Sequence, residues 1–359
     1  MKRIIKKPKT YFFVDKPLFG LDIGHEMLRV VQLDMGHDTP VLKAYGAIEF
    51  DPKAVVDGVI VKPELIAKAV LKLFSKGLTG DISTNRVAIS LPASRALTCV
   101  IQIPHMNAKD VDDAVRTEAE QYIPISADDL YFDYTPLKDD KDGIEFFVVS
   151  MPKQIVDSYL VLTRMLGLEA VLFDTAIGAS ARLFARDNRS DIPSVLVDFG
   201  AESTDITVFS HGLVVTGTVV FGGDHITRTI AKTLHVTTRE ATIVKEKYGL
   251  SASVLQKQIK TALEPSLELL IKEIRRALRY YEQRYKTEPP IGQVIVMGGG
   301  GNMPGLVEFL TERLYLPART FDPVLYIDFG RLKKFYNADH MSYVTAAGLA
   351  ITNPEEVLS

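Results

Sequence analysis

The sequence predicts an α/β fold in two domains with a small inserted unit, and three observations predict it. A strand, a tight polar turn and a second strand occur twice, as LFGLDIGHEMLRVVQL from Leu18 and as SVLVDFGAESTDITVF from Ser194. A short apolar strand, Val294 to Met297, runs straight into four glycines, Gly298 to Gly301, ahead of a helix. Between these landmarks, short β-type runs alternate with amphipathic helical stretches, the pattern of α/β layers. At 359 residues the chain is long enough for two cores of ordinary size.

Taken in order, the first hairpin is followed by a third strand, Val41 to Phe50, and by a helix opened by Pro63 and Glu64. That helix carries Leu65, Ile66, Ala69, Val70, Leu73 and Phe74 at helical spacing and stops at Gly77. Arg86 to Leu91 is a strand ended by Pro92. Residues 93–170 read as a separate inserted unit. It has a strand from Leu97 to Ile103, a helix capped by Asn107 with Asp110, Asp112 and Asp113 in its first turn, strands Leu130 to Tyr134 and Ile144 to Met151, and a helix from Gln154 to Leu166. The acidic run Asp139 to Asp142 reads as a solvated hairpin loop. Asp174 starts a helix of small residues, Ala176, Gly178, Ala179, Ser180 and Ala181, suited to close packing.

The second hairpin is extended by a strand from Leu213 to Phe221, then a helix from His225 to Leu234. Residues 237–287 are helical apart from a break at Gly249 and Ser251, and Leu267, Leu270, Ile271, Ile274, Leu278, Tyr281 and Tyr285 make one apolar stripe. Helices from Pro304 to Leu314 and from Tyr343 to Ile351 close the chain.

Composition excludes several classes. The chain is 47% hydrophobic and 24% charged, ordinary globular usage. A net charge of −3 supplies no global field for nucleic acid. The single cysteine, Cys99, makes no internal disulfide, no Cys/His group has zinc spacing, and the setting is read as reducing and cytoplasmic. No apolar run reaches the ~18 residues a membrane helix needs, and no signal-peptide core is present. The first ten residues, MKRIIKKPKT, are basic; they read either as a solvated terminus or as a tail leaning on an anionic membrane surface.

Three signals thus occur in fixed order: Asp22-x-Gly24, Asp198-x-Gly200, and the glycine run. Two carboxylate-bearing hairpins can hold a divalent cation through its waters while backbone amides grip phosphates. GLDIG resembles the first phosphate loop of the actin-like ATPase superfamily (a ribonuclease-H-like two-domain fold), LVDFGAESTD its second, and MGGGGNMPG its adenosine loop. With EAEQYIPISADDLYFDY at 118–134 and EIRRALRYYEQRY at 273–285, the chain further resembles the PilM family, the cytoplasmic actin-fold component of type IV pilus assembly machines and a relative of the division protein FtsA.

The resemblance implies a first actin-like domain over 18–92 and 171–190 with the C-terminal helix 340–352, and an FtsA-like inserted subdomain over 93–170. It also implies a second domain over 191–339 with a helical subdomain at about 233–290, and leaves 1–17 as a basic tail. It implies ATP and Mg2+ as ligands. Asp22 and Asp198 would order water around the metal; Gly24, Arg29, Gly200, Ser203 and Thr204 would line the phosphates. Gly298, Gly299 and Gly300 would pass beside the adenosine, and Lys245 and Glu246 would reach the base and ribose. Asp174 is the one residue in reach of orienting an attacking water. His25 and Glu26 stand where small hydroxyl residues usually follow the first glycine, and Ala176 where a glutamate is common, so binding with weak or absent hydrolysis is expected.

The implied partner is the cytoplasmic N-terminal tail of a PilN-like inner-membrane protein, with other pilus platform proteins beside it. The implied location is the inner face of the cell membrane, peripherally. An FtsA-like division protein and a small-molecule kinase of the same superfamily are the alternatives.

Overall fold

In the computed structural model, which describes residues 16–187, 189–332 and 340–352, both strand-turn-strand segments are antiparallel hairpins at the centre of separate sheets. The readings placed on the first residues of the basic tail and on the end of the chain lie outside the described residues. Contacts divide the chain into two units, one running to Ala176 and including Phe329–Leu332 and the residues from Ala346, the other comprising Ile177–Asp328 and the residues before Ala346. The division differs from the expected ranges. The small-residue helix falls in the second unit after its first residue, and the inserted segment is counted with the first.

The first unit is built on strands β1 (Phe19–Ile23), β2 (Met27–Asp34), β3 (Val41–Glu49), β6 (Thr79–Gly80), β7 (Arg86–Leu91) and β11 (Glu169–Thr175). A two-stranded ribbon, β4 (Val55–Val56) and β5 (Val59–Ile60), precedes helix α1 (Pro63–Lys76). The order is β11-β7-β1-β2-β3-β6, with β7 parallel to both β1 and β11. Central parallel neighbours on one side explain why all five residues of β1 and all six of β7 are buried, where an open hairpin would alternate. Ile66, Val70 and Leu73 of α1 pack with Phe19, Leu21, Val87 and Ile89 of the sheet and with Tyr159 and Leu162 of helix α3 (Lys153–Met165).

Within this unit the inserted segment makes its own sheet, β8 (Leu97–Ile103), β9 (Leu130–Asp140) and β10 (Gly143–Pro152) in the order β8-β10-β9, against helix α2 (Ala108–Ala119). Val111, Val115 and Ala119 cover Ile101, Phe146 and Val148. Two expectations change here. The acidic run is divided: Asp139 and Asp140 end strand β9, while Lys141 and Asp142 form the exposed hairpin turn, which tightens onto Gly143 at φ +138. Asn107 does occupy the helix N-cap, but its amide donates to Asp110 Oδ2 at 3.3 Å and caps no backbone N–H. Cys99 lies half-buried in β8.

The second unit carries helix α4 (Ala176–Phe184), strands β12 (Ser194–Phe199), β13 (Thr204–Phe209) and β14 (Leu213–Val219), and helices α5 (Gly223–Leu234), α6 (Thr238–Lys247) and α7 (Gln256–Arg284). Then come β15 (Gln293–Met297), α8 (Leu306–Leu314) and β16 (Ala318–Thr320). Its order is β14-β13-β12-β15-β16, with β15 parallel to β12 and β16. The stripe Leu267, Leu270, Ile271, Ile274 and Tyr281 of α7 packs on Val195, Val197, Ile206, Val208 and Val296, so it serves the core as its spacing predicts. On the sheet's other face Phe184 of α4 meets Phe209 and Phe321 edge-on at 5.3 and 5.9 Å.

The final helix, α9 (Val344–Ala350), explains its small residues. In the first unit Gly20 of β1 is so close to Ala346 and Leu349 that a Cβ there would strike the Ala346 carbonyl and come 2.8 Å from the Leu349 Cβ. No helix among the described residues is long and apolar enough to cross a membrane.

Candidate functional site

In the first unit, Asp22 stands near the end of β1 opposite Arg29 on β2, so the two side chains share one face of the sheet. The turn beyond it is closed by Gly24 N–H donating to the Met27 carbonyl at 3.1 Å. Asp22 is buried, and burial pushes its carboxyl up against the opposing pull of Arg29 and of a hydrogen bond from Ser90. Ser90, on the parallel neighbour β7, donates its hydroxyl to Asp22 Oδ1 at 2.7 Å and accepts the Ile23 N–H at 3.1 Å. Tyr159 of α3 lies beneath, its phenol pushed above the usual range by burial and by the charge of Asp22. Glu26 is exposed and leans on His25 at 4.0 Å.

Asp174 is on β11, opposite Ser90 in register, and the helix starts only at Ala176. The apolar run Val171-Leu172-Phe173 extends the strand through this position and pairs with buried β7. A helix cap at Asp174 is therefore ruled out by the tertiary partner that the strand finds.

In the second unit, Asp198 stands next to the end of the equivalent strand. Its hairpin partner is Asp205, and its parallel neighbour is Met297. The tip is closed by Gly200 N–H donating to the Ser203 carbonyl at 2.9 Å. The first turn of α5 then docks on that tip: Gly223 N–H donates to the Gly200 carbonyl and Asp224 N–H to the Ala201 carbonyl, both at 2.9 Å. Gly222 permits this approach, since a Cβ there would come 2.6 Å from the Ala201 carbonyl carbon. Lys245 of α6 reaches the Gly223 carbonyl at 3.3 Å; burial holds its ammonium below the ordinary value against the charges of Glu246 and Asp224. Thr204 is fully buried and donates its hydroxyl to the Phe221 carbonyl at 2.5 Å, closing the base of the tip.

The glycine run packs on the same end of the sheet. Gly298, at φ +81, lies against Asp198 and Phe199; a Cβ would come 2.6 Å from the Phe199 carbonyl oxygen and collide with Asp198 Oδ1. A Cβ on Gly300 would meet the Phe199 ring and carbonyl at 3.1 to 3.2 Å, whereas one on Gly299 would meet only Ser342 Cβ at 3.4 Å. Asp198 Oδ2 accepts a hydrogen bond from Ser180 of α4 at 3.0 Å. Asp205 accepts one from Thr218 at 2.6 Å, and burial pushes its carboxyl up to about 6.

The second unit therefore gathers Asp198, Gly200, Ser203, Thr204, Gly298, Gly299, Gly300, Lys245 and Glu246 around the carboxyl ends of two parallel strands, the usual binding end of α/β sheets. The first unit gathers Asp22, Gly24 and Arg29 at the end of β1. Three contributors escaped the sequence reading. Ser90 is the lone hydroxyl in the apolar strand RVAISL, which is a signal of a sort. Ser180 reads in sequence as a small packing residue, and Gly223 lies between the strand read to Phe221 and the helix read from His225.

The profile of the family described as type IV pilus assembly protein PilM matches residues 20–353. A solved PilM–PilN type IV pilus biogenesis complex contains a chain 25% identical to this one, with a TM-score of 0.80 over 96% of this chain and 99% of that one. The cell division protein FtsA of Pseudomonas aeruginosa is 25% identical over 163 residues, which is 39% of this chain and only 38% of that relative. MreB5 of Spiroplasma citri, solved with ADP, shares the fold at a TM-score of 0.55 and 13% identity, over 95% of this chain and 97% of that one. Hairpins ending on Asp22 and Asp198, the actin-like fold and a family match spanning nearly the whole described chain agree, and the chain belongs to the family of type IV pilus assembly protein PilM.

Proposed function

We propose that this actin-like pilus assembly protein binds ATP with Mg2+ and uses the bound state to engage the cytoplasmic tail of a PilN-like inner-membrane protein. It would do so peripherally, at the inner face of the membrane. The observation that carries the partner is the likeness to a PilM chain solved together with PilN, which covers both chains almost end to end. Supporting the nucleotide is the repeated device of a carboxylate at the end of a central strand, Asp22 in one unit and Asp198 in the other.

The residues present fit the ligand. Gly298 and Gly300 carry backbone without side chains to the carboxyl ends of β12 and β15, which suits close approach by a nucleoside. Asp22 and Asp198 are hard oxygen donors of the kind that hold Mg2+ through its waters, and Arg29 adds a fixed positive charge beside Asp22. The tip from Gly200 to Ser203 would follow the phosphates, with Lys245 and Glu246 nearest the base and ribose. Mg2+ would neutralise phosphate charge; the protein's share is orientation and exclusion of water.

The deciding experiment is a pull-down of the full chain with a synthetic N-terminal tail of a PilN-like protein, with and without Mg-ATP. Retention that needs Mg-ATP supports both parts. Retention indifferent to nucleotide removes the coupling, and no retention removes the partner.

A further inference from the structure

Each of the two carboxylates is fixed by a buried serine, and the two serines come from unrelated elements. Ser90 is 2% exposed and Ser180 is fully buried. Ser90 donates to Asp22 Oδ1 at 2.7 Å while accepting the Ile23 N–H at 3.1 Å. Ser180 donates to Asp198 Oδ2 at 3.0 Å and lies 3.2 Å from Thr345 Oγ1. A hydroxyl has one proton. With Ser180's given to Asp198, Thr345 is the donor to Ser180, so this serine too both accepts and donates.

The two sheets share an order about their central strand, and in that order β7 corresponds to β15. Ser90 sits at the carboxyl end of β7, but the matching place on β15, opposite Asp198, is Met297, which has no proton to donate. The second unit obtains its hydroxyl from α4 instead. The same hydrogen bond is thus made twice where the sheet topology alone supplies it only once.

We infer that Ser90 and Ser180 are positioning residues for the metal-nucleotide complex: each takes one carboxylate oxygen and so sets the orientation of Asp22 or Asp198 before the cation arrives. This rests on the ATP reading above. The terminal torsion of an aspartate is broad and nearly two-fold, so an unanchored carboxylate samples orientations that a hydrated cation cannot use. Groups behind a metal's direct partners typically change its affinity by roughly 10- to 100-fold when removed.

The test is isothermal titration of the full chain with ATP, once in Mg2+ and once in EDTA, for the parent, Ser90→Ala, Ser180→Ala and a control, Ser150→Ala. The control removes another buried serine, which donates its hydroxyl to the Leu97 carbonyl of the inserted unit. The expected result is that both site variants keep the EDTA affinity within about twofold, whereas the tightening conferred by Mg2+ falls by about tenfold or more. Ser150→Ala keeps both. Melting curves without ligand confirm that each variant is folded, and if Ser180→Ala is not, Ser90→Ala decides. A parent that gains affinity from Mg2+ and alanine variants that gain as much would overturn the positioning role alone. A parent with no gain from Mg2+ overturns the ATP reading beneath it.

Discussion

Replacing Gly298 by alanine separates two reasons for a glycine run, and the structure sets the size of the effect. The backbone there is at φ +81 and ψ 161, a region essentially reserved to glycine, where an L side chain costs roughly 1–3 kcal/mol. The added Cβ would also come 2.6 and 2.9 Å from the carbonyl oxygen and nitrogen of Phe199 and press on Asp198 Oδ1. These are main-chain atoms of a central strand, held on both sides by β13 and β15, and cannot step aside; overpacking of this kind costs ~1–3 kcal/mol. The total is about 3 kcal/mol, or roughly 6–12 °C in melting temperature for a unit of this size.

Gly300→Ala meets the Phe199 ring and carbonyl at 3.1 to 3.2 Å, a contact that yields slightly, so about 1–2 kcal/mol is expected. Gly299→Ala meets only Ser342 Cβ at 3.4 Å and should lie within about 0.5 kcal/mol of the parent. The assay is thermal unfolding followed by circular dichroism, without and with Mg-ATP. If Gly298→Ala melts within a degree or so of the parent, or Gly299→Ala loses as much as Gly298→Ala, the packing argument is refuted. An order of 298, 300, 299 without ligand means the run exists first to fit β12, whatever nucleotide it later meets.

Four further outcomes are expected. Asp198→Ala should weaken Mg-ATP binding far more than Asp139→Ala, whose carboxylate sits on the inserted hairpin against His105 at 2.8 Å; calorimetric titration giving equal effects would remove Asp198 from the site. Because burial raises the Asp205 carboxyl to about 6, its contribution is fully present below the unfolded value and is lost as pH rises through about 6. Asp205→Asn should therefore match the parent in melting temperature near pH 4 and exceed it by pH 8, and parallel pH curves would contradict this. Arg319→Met takes the guanidinium, paired at 2.6 Å, from the buried Asp187 and leaves it the Arg189 N–H and the Tyr326 hydroxyl; it should cost about 3 kcal/mol in urea unfolding, since removing one partner of a buried pair is worse than replacing both. Thr237→Ala breaks the capping box with Glu240 at the start of α6 and should cost about 1 kcal/mol in the same assay.

Much of the fold was legible because two local signals coincide at each landmark. Asp22-x-Gly24 and Asp198-x-Gly200 both follow a continuous apolar run, and a run of that kind fits only a strand with neighbours on both sides. The α7 stripe was equally plain, since 3.6-residue spacing over seven positions has few other readings. Asp174 was misplaced because its segment, EAVLFDTAIGAS, contains both a strand and a helix start. Only the distant pairing with β7 decides where one ends. The hydrogen bonds of Ser90 and Ser180 were invisible for a like reason. Their meaning lies in partners 68 and 18 residues away.

Roles assigned from motifs also shift once backbone bonding is counted. Thr204 reads as a phosphate-lining hydroxyl in the motif ESTD, yet its proton goes to Phe221 and it is wholly buried. The N–H groups of Gly223 and Asp224 would make an anion site at the start of α5, but they are bonded to the carbonyls of Gly200 and Ala201. The hairpin tip is thus held from behind by a helix start, and Lys245 seals the junction from the side. A tip so braced keeps one shape. A charged ligand arriving there meets groups already oriented, so binding spends little on ordering the protein. On the function proposed above, a tip so pre-set would hold a nucleotide firmly, and the bound state itself would be what a partner reads.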